Sequence, residues 1–186
     1  MQATQILMEE HDVIERVLTA LETVANRVSQ GDEIQPAFFV NAALFIKNFA
    51  DGSHHHKEEG VLFVAMTESG IPTQGGPIGV MLAEHEQGRA FTRGMKEAAE
   101  KWEAGDLSAR ATVVENALGY VALLRQHIQK ENKILFPMAD RLISPARQAK
   151  VSADFEQIKH EETGAGVNEK YLALAAVLEE QSLKKN

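Results

Sequence analysis

Six residues of this chain have the types and the spacing to hold metal: His11, His54, Glu58, His85, His127 and Glu131. His54 precedes Glu58 by four residues and His127 precedes Glu131 by four, so on a helix each pair projects from one side, close enough to bind at one centre. Two such helices facing each other supply two carboxylates able to bridge a pair of metals, with each histidine capping one metal. His11 and His85 add imidazoles from two further helices. A four-histidine, two-glutamate box inside a helical bundle is an arrangement of the kind used for di-iron or di-manganese carboxylate centres. Imidazole with carboxylate suits iron and, less selectively, manganese or zinc. The chain has no cysteine. That excludes a disulfide framework, a thiolate zinc site, an iron-sulfur cluster held by this chain alone and a cysteine nucleophile, so any metal sits on nitrogen and oxygen.

A lone His-x-x-x-Glu on a helix is ordinarily a solvated pair. Six ligand-type residues on inward faces are a different case, because burying several unpaired carboxylates and imidazoles without metal costs several kcal/mol each. The run His54-His55-His56 offers two registers, His54 with Glu58 and His55 with Glu59. Leu62-Phe63 follows Glu58 as Leu135-Phe136 follows Glu131, which selects His54 with Glu58. His55 and His56 are then a flanking or surface pair, and His55→Ala is expected to leave bound iron intact where His54→Ala and Glu131→Ala abolish it.

The elements that must position these residues are helices. Turn residues cluster at Ser29 to Pro36, Ser69 to Pro77, Ala104 to Ser108, and Ser144 with Pro145, and the stretches between carry no strand signal. Leu7, His11, Ile14, Leu18 and Leu21 recur at spacings of three and four, one face of a helix. Ile46, Ala50, His54, Glu58 and Leu62 step by four, Ile78, Met81, Leu82 and His85 form a third face, and Val113 to Met138 a fourth. The fold class is therefore all-α, an up-down-up-down four-helix bundle with a C-terminal helical extension. The bundle is assigned to residues 1–142. Residues 143–186 form the extension, one or two helices broken at Thr163-Gly164-Ala165-Gly166 and packed on the bundle or on a second subunit of a homodimer. The His-x-x-x-Glu motif repeats from 54 to 127, an offset of 73, and Glu10-His11 repeats as Glu84-His85, an offset of 74. Two helix pairs related by a pseudo-twofold axis would bring the four histidines to one level.

Composition narrows the setting. A formal net charge of -8, with basic residues scattered along the chain, disfavours nucleic acid as a partner. Met1 to Glu10 shows no basic region followed by an apolar run, and no stretch approaches the roughly 18 apolar residues of a membrane span. A cytoplasmic protein with no membrane partner is expected.

The phrases Glu-Glu-His-Asp near the start, His-His-His-Lys-Glu-Glu-Gly-Val-Leu-Phe at 54–63, Ala-Glu-His-Glu at 83–86 and His-Ile-Gln-Lys-Glu-Asn-Lys-Ile-Leu-Phe-Pro at 127–137 resemble the hemerythrin-like HHE cation-binding domain. The resemblance covers about residues 4–142. It implies two iron ions in an oxo- or hydroxo-bridged pair, with His11 and His54 on one, His85 and His127 on the other, and Glu58 and Glu131 bridging. It also implies chemistry with a small diatomic ligand, oxygen or nitric oxide. Two places depart from the oxygen carriers of that family. Arg89 stands where they have a further histidine one turn after His85, and Glu131, four residues after His127, replaces an aspartate at five. In both respects the chain is more similar to hemerythrin-like proteins linked to nitrosative stress, repair of iron centres or iron sensing. The vacated position is open to solvent, to a neighbouring carboxylate, or to His160, Glu161 or Glu162 of the extension, and Arg89 is expected to pair with Glu86 or a bridging glutamate.

Two functions follow from that resemblance. One is a binding or sensing module for oxygen, nitric oxide or iron. The other is a di-iron enzyme reducing nitric oxide or peroxide, or donating iron in repair. The sequence has no flavin or nicotinamide fingerprint, so a reductase needs an external electron donor. Val61, Leu62, Phe63, Ile134, Leu135 and Phe136 are suited to forming a dry pocket, and Tyr120, two turns before His127, reads as core.

Overall fold

A computed structural model describes residues 2–161 and 167–184, with side chains described outside 159–168. The break at Thr163–Gly166 and the candidate Glu162 lie outside the described residues, and the side chains of the candidates His160 and Glu161 lie outside those described. The described chain is helical throughout, with no strand. Helix α1 is Ala3–Ser29. Helix α2 spans 37–68, with α-helical turns at Ala37–Phe45 and Phe63–Glu68 flanking π-helical turns at Ile46–His55 and Glu58–Leu62. Helix α3 is Pro77–Glu103, opened by a proline whose missing N–H costs nothing at the first position. A 3-10 turn at Leu107–Ala109, where the Asp106 side chain accepts from the Ser108 N–H, leads into α4. Helix α4 covers 110–142: Arg110–Lys130, a π-helical segment at Glu131–Leu135, then Phe136–Leu142. Pro137 sits in the first turn of that last segment, directly after the π turns, so its absent N–H falls where the regular ladder is already shifted. Helices α5 (Pro145–Glu161) and α6 (Val167–Leu183) complete the described chain.

The breaks fall where the turn residues are, and for a local reason. At the end of α1, Gly31 takes φ 95°, which permits the Gly31 N–H to bond Val28 O at 3.1 Å and the Asp32 N–H to bond Arg27 O at 3.0 Å. These two bonds satisfy carbonyls the helix would otherwise leave orphaned.

Helix α1 packs on α4, α4 on α3, and α3 on α2; α6 lies against α1 and α2, and α5 against α1 and the π turns at 58–62. The α3–α4 seam is close enough to require glycine at 119, where a Cβ would meet the Phe91 ring at 2.6 Å. Two apolar clusters form the core. One joins Leu18, Leu21, Phe39, Phe45, Met95 and Tyr120 with Tyr171 and Leu178 of α6. The other joins Leu7, Leu62, Met66, Ile78 and Phe136 with Val151 and Phe155 of α5. Each fully buried side chain of this size contributes about 1.5–3 kcal/mol of transfer free energy. Both C-terminal helices thus supply core residues. Along α1 the apolar stripe is interrupted at His11, between Leu7 and Ile14, and the same interruption occurs on the other three bundle helices. The interruptions meet in one polar layer between the two clusters. Among the described residues no helix is long and apolar enough to cross a membrane.

Candidate metal centre

The six residues singled out by type and spacing come together in that layer, each 2% exposed or less. Helix α1 carries His11, α2 carries His54 and Glu58, α3 carries His85, and α4 carries His127 and Glu131. The two glutamates each lie between imidazoles of different helices. His54 Nε2 is 3.4 Å from Glu58 Oε1 and His85 Nε2 3.5 Å from Glu58 Oε2. His11 Nε2 and His127 Nε2 are both 3.3 Å from Glu131 Oε2. Donor atoms of His11, His54, Glu58 and Glu131 lie within 4.8 Å of one another, and so do those of His55, Glu58, His85 and His127. Glu58 belongs to both groups.

Outside this layer each imidazole is held from behind by an oxygen acceptor. The Nδ1 of His54 donates to Glu10 at 3.0 Å and that of His127 to Glu84 at 2.9 Å. Glu10 is also paired with Lys57, and Glu84 with Lys130. The Nδ1 of His85 donates to Glu59 at 2.7 Å and that of His11 to Asn132 Oδ1 at 2.8 Å. Phe63 stacks on His85 at 6.1 Å and Phe136 on His11 at 5.5 Å. The near-repeat seen in the sequence therefore extends to the supports: Lys57 and Lys130, Glu59 and Asn132, Phe63 and Phe136 are each 73 apart, and Glu10 and Glu84 are 74 apart. Such partners fix the ring orientation and direct the far nitrogen toward a centre.

The electrostatics are those of a site built around charge. Burial works against protonating His54, but Glu58 and Glu10 outweigh it and push the imidazole up to about 10. Burial likewise opposes protonation of His127, and Glu131, Glu58 and Glu84 bring it up to about 9. Glu131 is held well below the usual carboxylate range against its burial, by His127 and His11. The hydrogen bond from His85, with Arg89 beside it, draws Glu59 down to about 2 despite partial burial.

Several neighbours were not legible in advance. His55, read from the sequence as flanking or surface, is 5% exposed and stacks on His85 with centroids 3.8 Å apart; only His56 of the run faces outward. A buried helix face is wide enough to take two neighbours, as His127 and Ile128 show at the matching place on α4 with 1% and 4% exposure, and the π-helical turns that end at His55 narrow the angle between adjacent residues further. Arg89 does pair with Glu86, at 2.6 Å, but its other partners are Asp51 at 2.7 Å and Glu59 at 2.8 Å, not the central glutamates. Of the six residues expected to wall a dry pocket, Leu62, Phe63, Leu135 and Phe136 are buried, whereas Val61 is half-buried and Ile134 is 55% exposed. Tyr120 is buried core, as read, with its hydroxyl unpartnered. It lines a cavity of about 360 Å³ that runs from His55, His85 and Gly88 to Lys47 and Lys96 at the surface.

The layer's own polar atoms test whether a metal fits. Both oxygens of Glu58, both of Glu131 and the Nε2 of His11 are buried without a hydrogen-bond partner. An unpaired buried polar group costs about 1–3 kcal/mol, and more when charged. These atoms point at one another across the layer, and a cation between them would convert each into a ligand. Nitrogen and carboxylate oxygen are also the donor set that iron, manganese and zinc accept.

Comparison with known proteins agrees with this geometry. A sequence profile described as the hemerythrin HHE cation binding domain matches residues 2–139. An uncharacterized protein of Mycobacterium tuberculosis is 27% identical over 163 residues, which is 87% of this chain and 63% of that protein. An uncharacterized protein of Mycobacterium bovis matches to the same extent. The chain thus spans less than two thirds of the length of these curated relatives. No solved structure matches it. With the profile covering most of the chain, and a buried layer of histidines and glutamates in its span, the chain belongs to the hemerythrin HHE cation-binding domain family.

Proposed function

We propose that this protein binds two iron ions between His11, His54, Glu58, His85, His127 and Glu131, and uses them to bind or sense oxygen, nitric oxide or iron itself. The four helices α1 to α4 then run up-down-up-down, which their short connections and the packing of sequence neighbours favour. The observation that carries the reading is the pair of buried carboxylates with no hydrogen-bond partner, each set between imidazoles of two helices. Bound as a pair, iron would supply electrons and an open position to a diatomic ligand. The chain's own residues do the rest. Glu58 and Glu131 offer two oxygens each, enough for bridging. Glu10, Asn132, Glu59 and Glu84 hold the Nδ1 protons, so that each Nε2 is the ligating nitrogen. The two apolar clusters exclude bulk water from above and below, and the cavity beside His85 and Tyr120 is of a size to admit a diatomic.

Anaerobic reconstitution with ferrous iron tests the reading. About two irons per chain are expected, with a visible absorption band on adding oxygen or nitric oxide that reverses under vacuum. Iron uptake well below two overturns it, and two irons with no spectral response to either gas overturn the diatomic-ligand reading and leave iron sensing. Continuous consumption of the gas with an added reductant would move the assignment to the enzyme class, with an external electron donor.

Loading must also displace protons. His54 and His127 carry them at neutral pH in the metal-free protein, so about two protons leave per loaded chain near pH 7.5. Calorimetry in buffers of different ionisation enthalpy reads that number, and no release would contradict the charged imidazoles. The pH dependences oppose each other. Both folded values lie above the ordinary 6.5, so these two groups stabilise the metal-free fold fully below pH 6.5 and cease to as pH rises through 9 to 10. Metal affinity climbs from pH 6.5 toward 9.

A further inference from the structure

The two halves of the site are not equal. The offset of 73 that carries His54 to His127 and Glu58 to Glu131 also carries His55 to Ile128 and Asp51 to Leu124. Ile128 and Leu124 are each 4% exposed members of the apolar core. One half therefore packs this position with hydrocarbon, which satisfies the fold, and the other half spends a buried imidazole there. Burying an imidazole where isoleucine would serve is costly unless the ring has a partner.

His55 has a looser version of the support the other four imidazoles have. Its Nδ1 faces Asp51 Oδ1 one turn back on the same helix at 3.4 Å, where the remaining Nδ1 atoms meet Glu10, Asn132, Glu59 and Glu84 of other helices at 3.0, 2.8, 2.7 and 2.9 Å. Asp51 is fixed by the Nε of Arg89, and the same guanidinium fixes Glu59 behind His85. One cation on α3 thus braces the acceptors of two stacked rings. A donor atom of His55 also falls within 4.8 Å of those of Glu58, His85 and His127.

We propose that His55 is itself a metal ligand, its ring turning out of the stack on His85 so that both can present an in-plane nitrogen to one of the two ions beside His127 and Glu58, with Asp51 and Arg89 as its positioning residues. The inference rests on the metal reading above and assigns a fifth histidine to it. It also places the imidazole missing from α3 on α2, one residue after His54, at the inward position that Ile128 takes on α4. Arg89 then has a role at its own position: it holds carboxylates, and the charge that would repel a metal is spent on Asp51, Glu59 and Glu86.

The test is made on the full chain loaded with cobalt(II), whose paramagnetism shifts the N–H protons of ligating histidines clear of the rest of the proton spectrum. Five solvent-exchangeable imidazole signals are expected from the wild type, for His11, His54, His55, His85 and His127. His55→Ile, which installs the residue the other half uses, is expected to show four and, by chelator competition, to lose more affinity for one ion than the roughly 10- to 100-fold that loss of an outer partner costs. His56→Gln keeps five. Four signals from a fully loaded wild type overturn the proposal without any variant, as does a His55→Ile protein that binds both ions with unchanged affinity. A wild type that takes up no cobalt, iron, manganese or zinc overturns the metal reading itself, and this inference falls with it.

Discussion

Glu58→Gln is expected to empty the site. Glu58 is the residue common to both donor groups, so its loss removes a ligand from each ion at once. Glutamine keeps the shape and the helix register, hence the fold, but offers one weakly donating oxygen and an N–H₂ that points donors where donors are not wanted. Affinity should fall well beyond the roughly 10- to 100-fold that loss of an outer partner costs. Thermal unfolding reads this directly. At a free metal concentration 1,000 times its dissociation constant, a bound ion stabilises the wild type by about 4 kcal/mol, and the same addition should leave Glu58→Gln unmoved. Glu59→Gln provides the contrast, since Glu59 only supports His85 and should retain both ions at reduced affinity. Equal metal-dependent stabilisation of the wild type and Glu58→Gln would refute the central role given to this carboxylate.

Phe155→Ala is expected to cost about 3–5 kcal/mol of stability, the range for truncating a fully buried aromatic. Phe155 is 1% exposed in α5 and shares a cluster with Leu7, Leu62, Phe63 and Phe136, the side chains that form the floor of the polar layer. Urea unfolding of the metal-free protein measures the loss without interference from bound ions. A cost below about 1 kcal/mol would mean that the C-terminal extension does not rest on the bundle. Leu183, 80% exposed near the end of α6, sets the baseline; its replacement by alanine should stay within about 0.5 kcal/mol of neutral.

What could be read from the sequence was whatever repeats with the period of a helix. Leu7, His11, Ile14 and Leu18 announce a buried face with a histidine in it, and the turn clusters fall between the helices because glycines such as Gly31 take conformations other residues avoid. The offset of 73 pointed to two related helix pairs, and the structure carries that relation out to Lys57 and Lys130, which lie beyond the ligand-type residues. What could not be read was whatever that period leaves open. His55 reads as a flanking residue because spacing assigns the inward position to His54, and spacing does not tell whether the buried face is wide enough to take its neighbour too, as it is for Ile128 beside His127. Ile134 was misplaced into the pocket for the complementary reason, being an apolar residue on the outer side of a π-helical turn. Asn132, Glu59 and Asp51 are half-buried polar residues on otherwise ordinary helix surfaces. Their role lies in a contact across helices, to which one-helix spacing is blind.

The burial of the polar layer sets two separate clocks. Every proposed ligand is at most 5% exposed, and the layer is closed above by one apolar cluster and below by another that α5 helps to fill. Release of an ion would need several buried ligands to let go together, so its expected residence time follows local opening of the helices that carry them. A diatomic ligand, on the proposed function, would have the shorter path through the cavity beside Tyr120, with side-chain motions that take nanoseconds to microseconds. The protein would therefore exchange its small ligand many times within the lifetime of one metal pair, and a sudden change in external iron would be registered only as fast as the fold itself breathes.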